Sequence, residues 1–159
     1  MTRIALFLAL LANPAAAAQD VDETAAPIVA ALDEARQTCA DLGAGDLVMR
    51  PGAITWVDLE GDGEKNDAVL DFNRMHCTQM FAPWHGSGGS TVRLVLNGAL
   101  TRGWSGGLWR MTEFNGQPVF LLGRHGTNCD GAGASPCVQA ITTDGRRFYA
   151  VMHPAMGNE

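Results

Sequence analysis

Basic charge is scarce in this chain. Its 159 residues carry 11 Lys and Arg against 17 Asp and Glu, and the basic ones stand singly except for Arg146-Arg147. Nucleic-acid binding depends on cationic side chains that neutralise phosphates, so no nucleic-acid partner is expected. Long apolar runs are missing as well. Beyond residue 12 no stretch approaches the roughly 20 apolar residues of a membrane-spanning helix, so no transmembrane segment is expected. No Cys-x2-4-Cys pair exists to support a thiolate zinc site. There is no His-x3-His or His-Glu-x-x-His pattern for a catalytic metal and no Gly-x-Ser-x-Gly nucleophile elbow. The stretch Gly86-Ser-Gly-Gly-Ser90 lacks the Gly-Lys-Ser/Thr ending of a phosphate loop.

At the start of the chain, Arg3 precedes an apolar run from Ile4 to Ala12 and then Asn13-Pro14 and four alanines. These are the three zones of a secretory signal peptide, with cleavage expected after Ala17 or Ala18. Residues 1–18 are therefore read as a signal peptide and 19–159 as one periplasmic or secreted domain. No Cys follows the apolar run, so a lipid anchor is not expected. Losing Arg3 leaves 10 basic against 17 acidic residues and a net charge of −7. The four cysteines, Cys39, Cys77, Cys129 and Cys137, are an even set that an oxidising compartment closes into two disulfides. Three pairings exist. The short separation across a glycine-rich loop favours Cys129 with Cys137, which leaves Cys39 with Cys77. On the loop-entropy model each contributes about 3 to 4 kcal/mol.

Ile28, Leu32, Ala35, Cys39 and Leu42 recur every three or four residues, with Asp33, Glu34, Arg36, Gln37 and Asp41 on the other side. That spacing predicts an amphipathic helix over about 25–42, with Pro27 in its first turn and Gly43 as its stop. From Gly45 onward, short apolar runs alternate with turn residues. Seven strands are predicted, at 53–58, 67–73, 91–96, 107–113, 118–123, 137–143 and 147–152. Asn115-Gly116 and Asp144-Gly145 are two-residue turn signals between consecutive strands. The run Val119-Phe120-Leu121-Leu122 suits a central or twice-covered strand. The expected fold class is α+β: the N-terminal helix packed on an antiparallel meander of six or seven strands, as a sheet or open barrel, with two disulfides.

The densest chemistry in the sequence is Trp56-Val-Asp58-Leu-Glu60-Gly-Asp62-Gly63-Glu64-Lys-Asn66-Asp67. Carboxylates at alternate positions of a tight turn present oxygen atoms to one side, as a hard cation requires. The loop resembles the Asp-x-Asp-x-Asp-Gly calcium loop of FG-GAP-type and dockerin-type repeats, and the chain resembles small secreted bacterial proteins in which such a loop precedes a strand ending in Asp. The resemblance implies Ca2+ held by Asp58, Glu60, Asp62 and Asp67. Glu60 stands where a shorter residue is usual, and Val69 occupies the twelfth loop position, where an EF-hand needs Glu. The alternative is a polar hairpin whose glycines take positive φ and whose carboxylates cap backbone amides.

Two longer loops, 78–90 and 124–136, each carry a His-Gly pair, at His85 and His125. With a carboxylate these histidines would make a small periplasmic hydrolase. The segment from Cys129 to Cys137, tied by a disulfide, would suit a protein inhibitor. Trp84, Trp104 and Trp109 either line an aromatic binding face or cover a β core. With no linear motif for a nucleophile or cofactor, the expectation is a non-catalytic binding or envelope accessory module, its partner an envelope protein or small ligand.

Overall fold

A computed structural model describes residues 25–151, apart from positions 82, 134 and 136. The expected signal peptide lies outside the described residues. Helix α1 spans Ala26–Asp41 and buries Ile28, Ala31, Leu32, Ala35 and Cys39. Leu42, counted in the predicted stripe, is half exposed at the C-cap. Gly43 follows it at φ +61°, where the left-handed turn lets its N–H bond back to Ala40 O at 2.9 Å.

Ten strands follow among the described residues. β1 (Leu47–Met49) pairs with β4 (Met75–Cys77) in a small ribbon. β2 (Ile54–Val57), β3 (Asp67–Asp71), β5 (Ser90–Leu96) and β6 (Leu100–Gly106) form one antiparallel sheet in that order. β7 (Trp109–Phe114), β8 (Gln117–Gly123), β9 (Val138–Thr143) and β10 (Phe148–Val151) form a second, also with consecutive neighbours paired. The α+β class, the antiparallel meander and both disulfides are as expected. The meander divides into two stacked sheets instead of one. No helix among the described residues is long and apolar enough to cross a membrane.

The layers follow from alternation along the strands. Val57, Val69, Val92, Leu94, Leu96 and Trp104 of the first sheet meet Phe120, Leu122, Ile141 and Phe148 of the second. Ala68, Leu70 and Val95 point the other way, onto Ile28, Ala31, Leu32 and Ala35 of α1. The first sheet is thus covered on both faces, and every residue of β3 is buried. β8 is central in its sheet, but only Phe120 and Leu122 of its apolar run are fully buried. Cys39–Cys77 ties the last turns of α1 to β4.

Three strands escaped the sequence pattern: β1, β4 and β6. β6 buries only Trp104 and Gly106, so it shows no apolar alternation. Its hairpin with β5 turns at Asn97-Gly98, both at positive φ. That dipeptide is a turn signal that could have revealed the strand. Asn115-Gly116 closes a two-residue hairpin, Phe114 pairing with Gln117. Asp144-Gly145 does not. Thr143 pairs with Phe148 across a four-residue loop, in which Asp144 Oδ1 accepts from the amides of Arg146 and Arg147, each at 3.0 Å.

Candidate functional site

The acidic loop joins β2 to β3, and its carboxylates accept hydrogen bonds from its own amides and from Asn97. Asp58 accepts from Gly61 N at 2.5 Å and Gly63 N at 2.9 Å. Asp62 accepts from Glu64 N at 2.8 Å. Asp67 is fully buried and accepts from Leu59 N at 2.8 Å and Asn97 N at 2.9 Å. Glu60 accepts from Asn97 Nδ2 at 2.6 Å. Gly61 and Gly63 take positive φ, and a Cβ on Gly61 would lie 2.9 Å from Pro118. The loop therefore has the geometry of an amide-capped turn packed on β8. Among the described residues no group of three His, Cys, Asp or Glu side chains is placed to hold a metal ion.

Burial dominates at Asp67 and raises its carboxyl above the ordinary range, against the amides of Asn97 and Leu59; the charges of Glu60 and Asp58 add to the rise. At Asp58 desolvation is the largest single influence and also pushes upward. The amides of Gly61, Gly63, Asp62 and Glu60 together outweigh it and hold the group below its usual value. Asp67 and Asp58 are thus pushed apart by the same loop.

The two long loops do meet, through glycine more than histidine. Gly86 and Gly89 exchange main-chain hydrogen bonds at 3.0 and 3.1 Å. A Cβ on Gly88 would stand 2.8 Å from the Cβ of His125, and one on Gly133 would stand 2.7 Å from its Nε2. The His125 ring is clamped between these two glycines while Nδ1 meets Thr127 Oγ1 at 2.8 Å. His85 is exposed and does not line the depression where the loops touch. Neither histidine pairs with a carboxylate among the described residues.

The three tryptophans separate. Trp104 is buried edge-on to Phe148, Trp84 packs edge-on to Phe72 against the helix layer, and Trp109 stacks on Phe120 at 5.3 Å. They cover the core instead of forming a shared face. Trp109 also donates Nε1–H to Asp71 Oδ2 at 3.1 Å, linking the second sheet to the end of β3.

An unforeseen surface forms where the chain crosses from β6 to β7. Gly107 N donates to Gly123 O at 2.9 Å and Gly123 N donates to Leu108 O at 2.8 Å. Two residues therefore oppose one, which is a β-bulge. The extra residue breaks the alternation, and Leu108 turns outward with 89% of its surface exposed. A cleft of about 380 Å³ on one side is lined by Arg50, Asp71, Asn73, Arg74 and Trp109. A depression of about 340 Å³ on the other holds Ser87, Arg124, His125 and Ser135. Gly107 and Leu108 line both and stand between them. Arg50 also lies 4.4 Å over the ring of exposed Phe81, extending the strip.

The strip gathers three arginines of an acidic protein; the carboxylate among its described lining residues, Asp71, accepts from Trp109 and from Asn73 N and Nδ2 and lies 3.6 Å from Arg74 Nε, which leaves Arg50 and Arg124 without a carboxylate partner among the described residues. A separate cleft of about 500 Å³ between edge strands β2 and β7 includes Trp56, Met111 and Pro118, with Asp58 and Glu113 beside Lys65. Its charges are mixed. Sequence reasoning passed over Arg50, Arg74, Leu108 and Arg124 because they lie far apart in the chain. The one local signal was Gly106-Gly107 at a strand junction, where glycine marks a bulge or close approach. No protein-family model, curated protein or solved structure matches the chain.

Proposed function

We propose that the protein is a non-catalytic binding module of an oxidising compartment outside the cytoplasm, periplasmic or secreted, with the strip around Leu108 as its ligand face. The observation that carries this reading is the exposure of Leu108 on a bulge held by glycine main chain, between Arg74 and Trp109 on one side and Arg124 on the other. A large apolar side chain presented on rigid backbone and ringed by cationic groups suits a contact that buries it. Two disulfides support the compartment. The ligand this face fits is an envelope protein or smaller molecule that sets an apolar group beside negative charge.

The reading also accounts for the two histidines. His125 serves as packing between the long loops, and His85 stands apart from it, so the loops supply a wall to the strip and no acid–base pair. The test is capture from an envelope fraction by the immobilised, oxidised domain, run beside Leu108→Ser. Leu108 supports no core contact, so the variant is expected to melt like the parent yet retain at least about tenfold less of any specific ligand, as for a central contact residue. Equal capture by both proteins removes the strip from consideration.

A further inference from the structure

Arg124 is held by three hydrogen bonds, and none of its partners carries a charge. Nε donates to Ser105 O at 2.9 Å, Nη1 to Gln139 Oε1 at 2.8 Å, and Nη2 to Asn128 Oδ1 at 2.9 Å. Gln139 is itself buried, and Asn128 is fixed in turn by donating Nδ2–H to His125 O at 3.2 Å. Arg36, Arg74, Arg93 and Arg147 each have a carboxylate within 4.0 Å; Arg50, Arg102, Arg110, Arg124 and Arg146 have none among the described residues, and of these Arg124 alone is partly buried. A half-buried cation oriented by neutral acceptors retains its full charge, and a desolvated charge is normally matched by an opposite one. A guanidinium has five N–H donors, so three bonds leave one on each terminal nitrogen. Beside it lies the depression between the long loops, walled by Gly88 and Gly133 and edged by the hydroxyl residues Ser87 and Ser135. The His125 ring fills the space over Gly88 and Gly133, and the depression of about 340 Å³ that it also lines has the size of a compact group.

We propose that Arg124 anchors an oxyanion seat in this depression, taking a carboxylate or phosphate group of the ligand whose apolar part covers Leu108. The inference rests on the ligand face proposed above and names the chemistry of one end of it. Gln139, Asn128 and Ser105 orient the guanidinium, and the anion supplies the charge that the fold withholds. A purely structural Arg124, gluing the 124–136 loop to β6 and β9, would need no anion and would respond to none.

The seat is tested by nuclear magnetic resonance on the oxidised, isotope-labelled protein titrated separately with sodium acetate and sodium phosphate, ionic strength held constant with chloride. Saturable shifts are expected at the Arg124 Nε–H and at the amides of Ser87, Gly88 and Leu108. Tighter saturation by acetate assigns a carboxylate, and tighter saturation by phosphate assigns a phosphate group. Arg124→Gln is expected to weaken the response about tenfold, the scale of one charge-assisted hydrogen bond. Should that variant fail to fold, the wild-type titration decides alone. The seat is overturned if neither anion gives a saturable shift or if chloride reproduces the shifts. A failed titration with capture still lost in Leu108→Ser removes the seat and keeps the ligand face; saturable shifts with capture unchanged in Leu108→Ser do the reverse.

Discussion

Asp67 and Asp71 bound β3, the most enclosed strand, and each closes a loop by accepting hydrogen bonds from it. Asp67 joins the start of the acidic loop, at Leu59, to the β5–β6 turn, at Asn97. Replacing it with Ala strands two amide donors beside the core, and the expected loss is about 2 to 3 kcal/mol in urea unfolding. The pH dependence of that loss has a definite sign. Because burial raises the folded carboxyl above its ordinary 3.8, the native state holds the proton more tightly than the unfolded chain. The proton-linked stability is present below 3.8 and disappears as pH rises through the folded value. The gap between wild type and Asp67→Ala should narrow as pH rises above about 4. A widening gap would mean that the amides prefer the ionised group. Asp58, held low, works oppositely: its contribution is present above 3.8 and fades as pH falls through its folded value.

Among elements, the β2–β3 loop has most to lose from a mistaken reading of its chemistry. Its carboxylates already cap Gly61, Gly63, Glu64, Leu59 and Asn97 amides, so an ion would have to displace or share these bonds. Thermal melting in calcium well above the roughly 0.1 to 1 mM at which extracellular modules bind is expected to match melting in chelator. A clear rise with calcium, removed by Asp62→Ala, would restore the cation site. The two disulfides should differ in weight. Cys39–Cys77 spans a separation of 38 residues and Cys129–Cys137 one of 8. Loop entropy assigns them about 4 and about 2.5 kcal/mol respectively, the second below the roughly 3 to 4 kcal/mol expected for each from the sequence. Replacing each pair with Ser should therefore lower the denaturant midpoint more for the first, which also anchors α1 through its buried face. Equal effects would point to residual order in the unfolded chain.

On the scale of the whole molecule, the side of the sandwich near β3 and β7 is joined by few polar ties. Trp104 against Phe148 closes the opposite side with apolar area. Near β3, the Trp109–Asp71 bond crosses between the sheets, while Asn73 ties strands of the first sheet, its Nδ2 donating to Gly106 O of β6 and its Oδ1 accepting from Ser90 N of β5. Trp109→Phe keeps a ring on Phe120 but removes the donor to a buried carboxylate. Its expected cost is about 1.5 to 3 kcal/mol. Amide exchange should speed up at β7 more than at β3, and uniform acceleration would show that the two sheets open as one unit.

By itself the sequence determined the helix, the seven strands whose apolar residues alternate or run together, and the two-residue turn at Asn115-Gly116, because each depends on contacts between near neighbours in the chain. It also favoured, among three possible pairings, the disulfides that the structure shows, through the separation of 8 residues between Cys129 and Cys137. Only the tertiary structure decided the rest. The division into two sheets hinges on Gly106-Gly107, where the chain leaves one layer for the other. The surroundings of Asp67 include the amide of Asn97, thirty residues away in the chain. The strip around Leu108 exists because a bulge reverses one side chain and because Arg50, Arg74 and Arg124 arrive from three separate segments. Local patterns encode elements through short-range sterics and burial, whereas a site built from single residues on distant segments leaves no period to read.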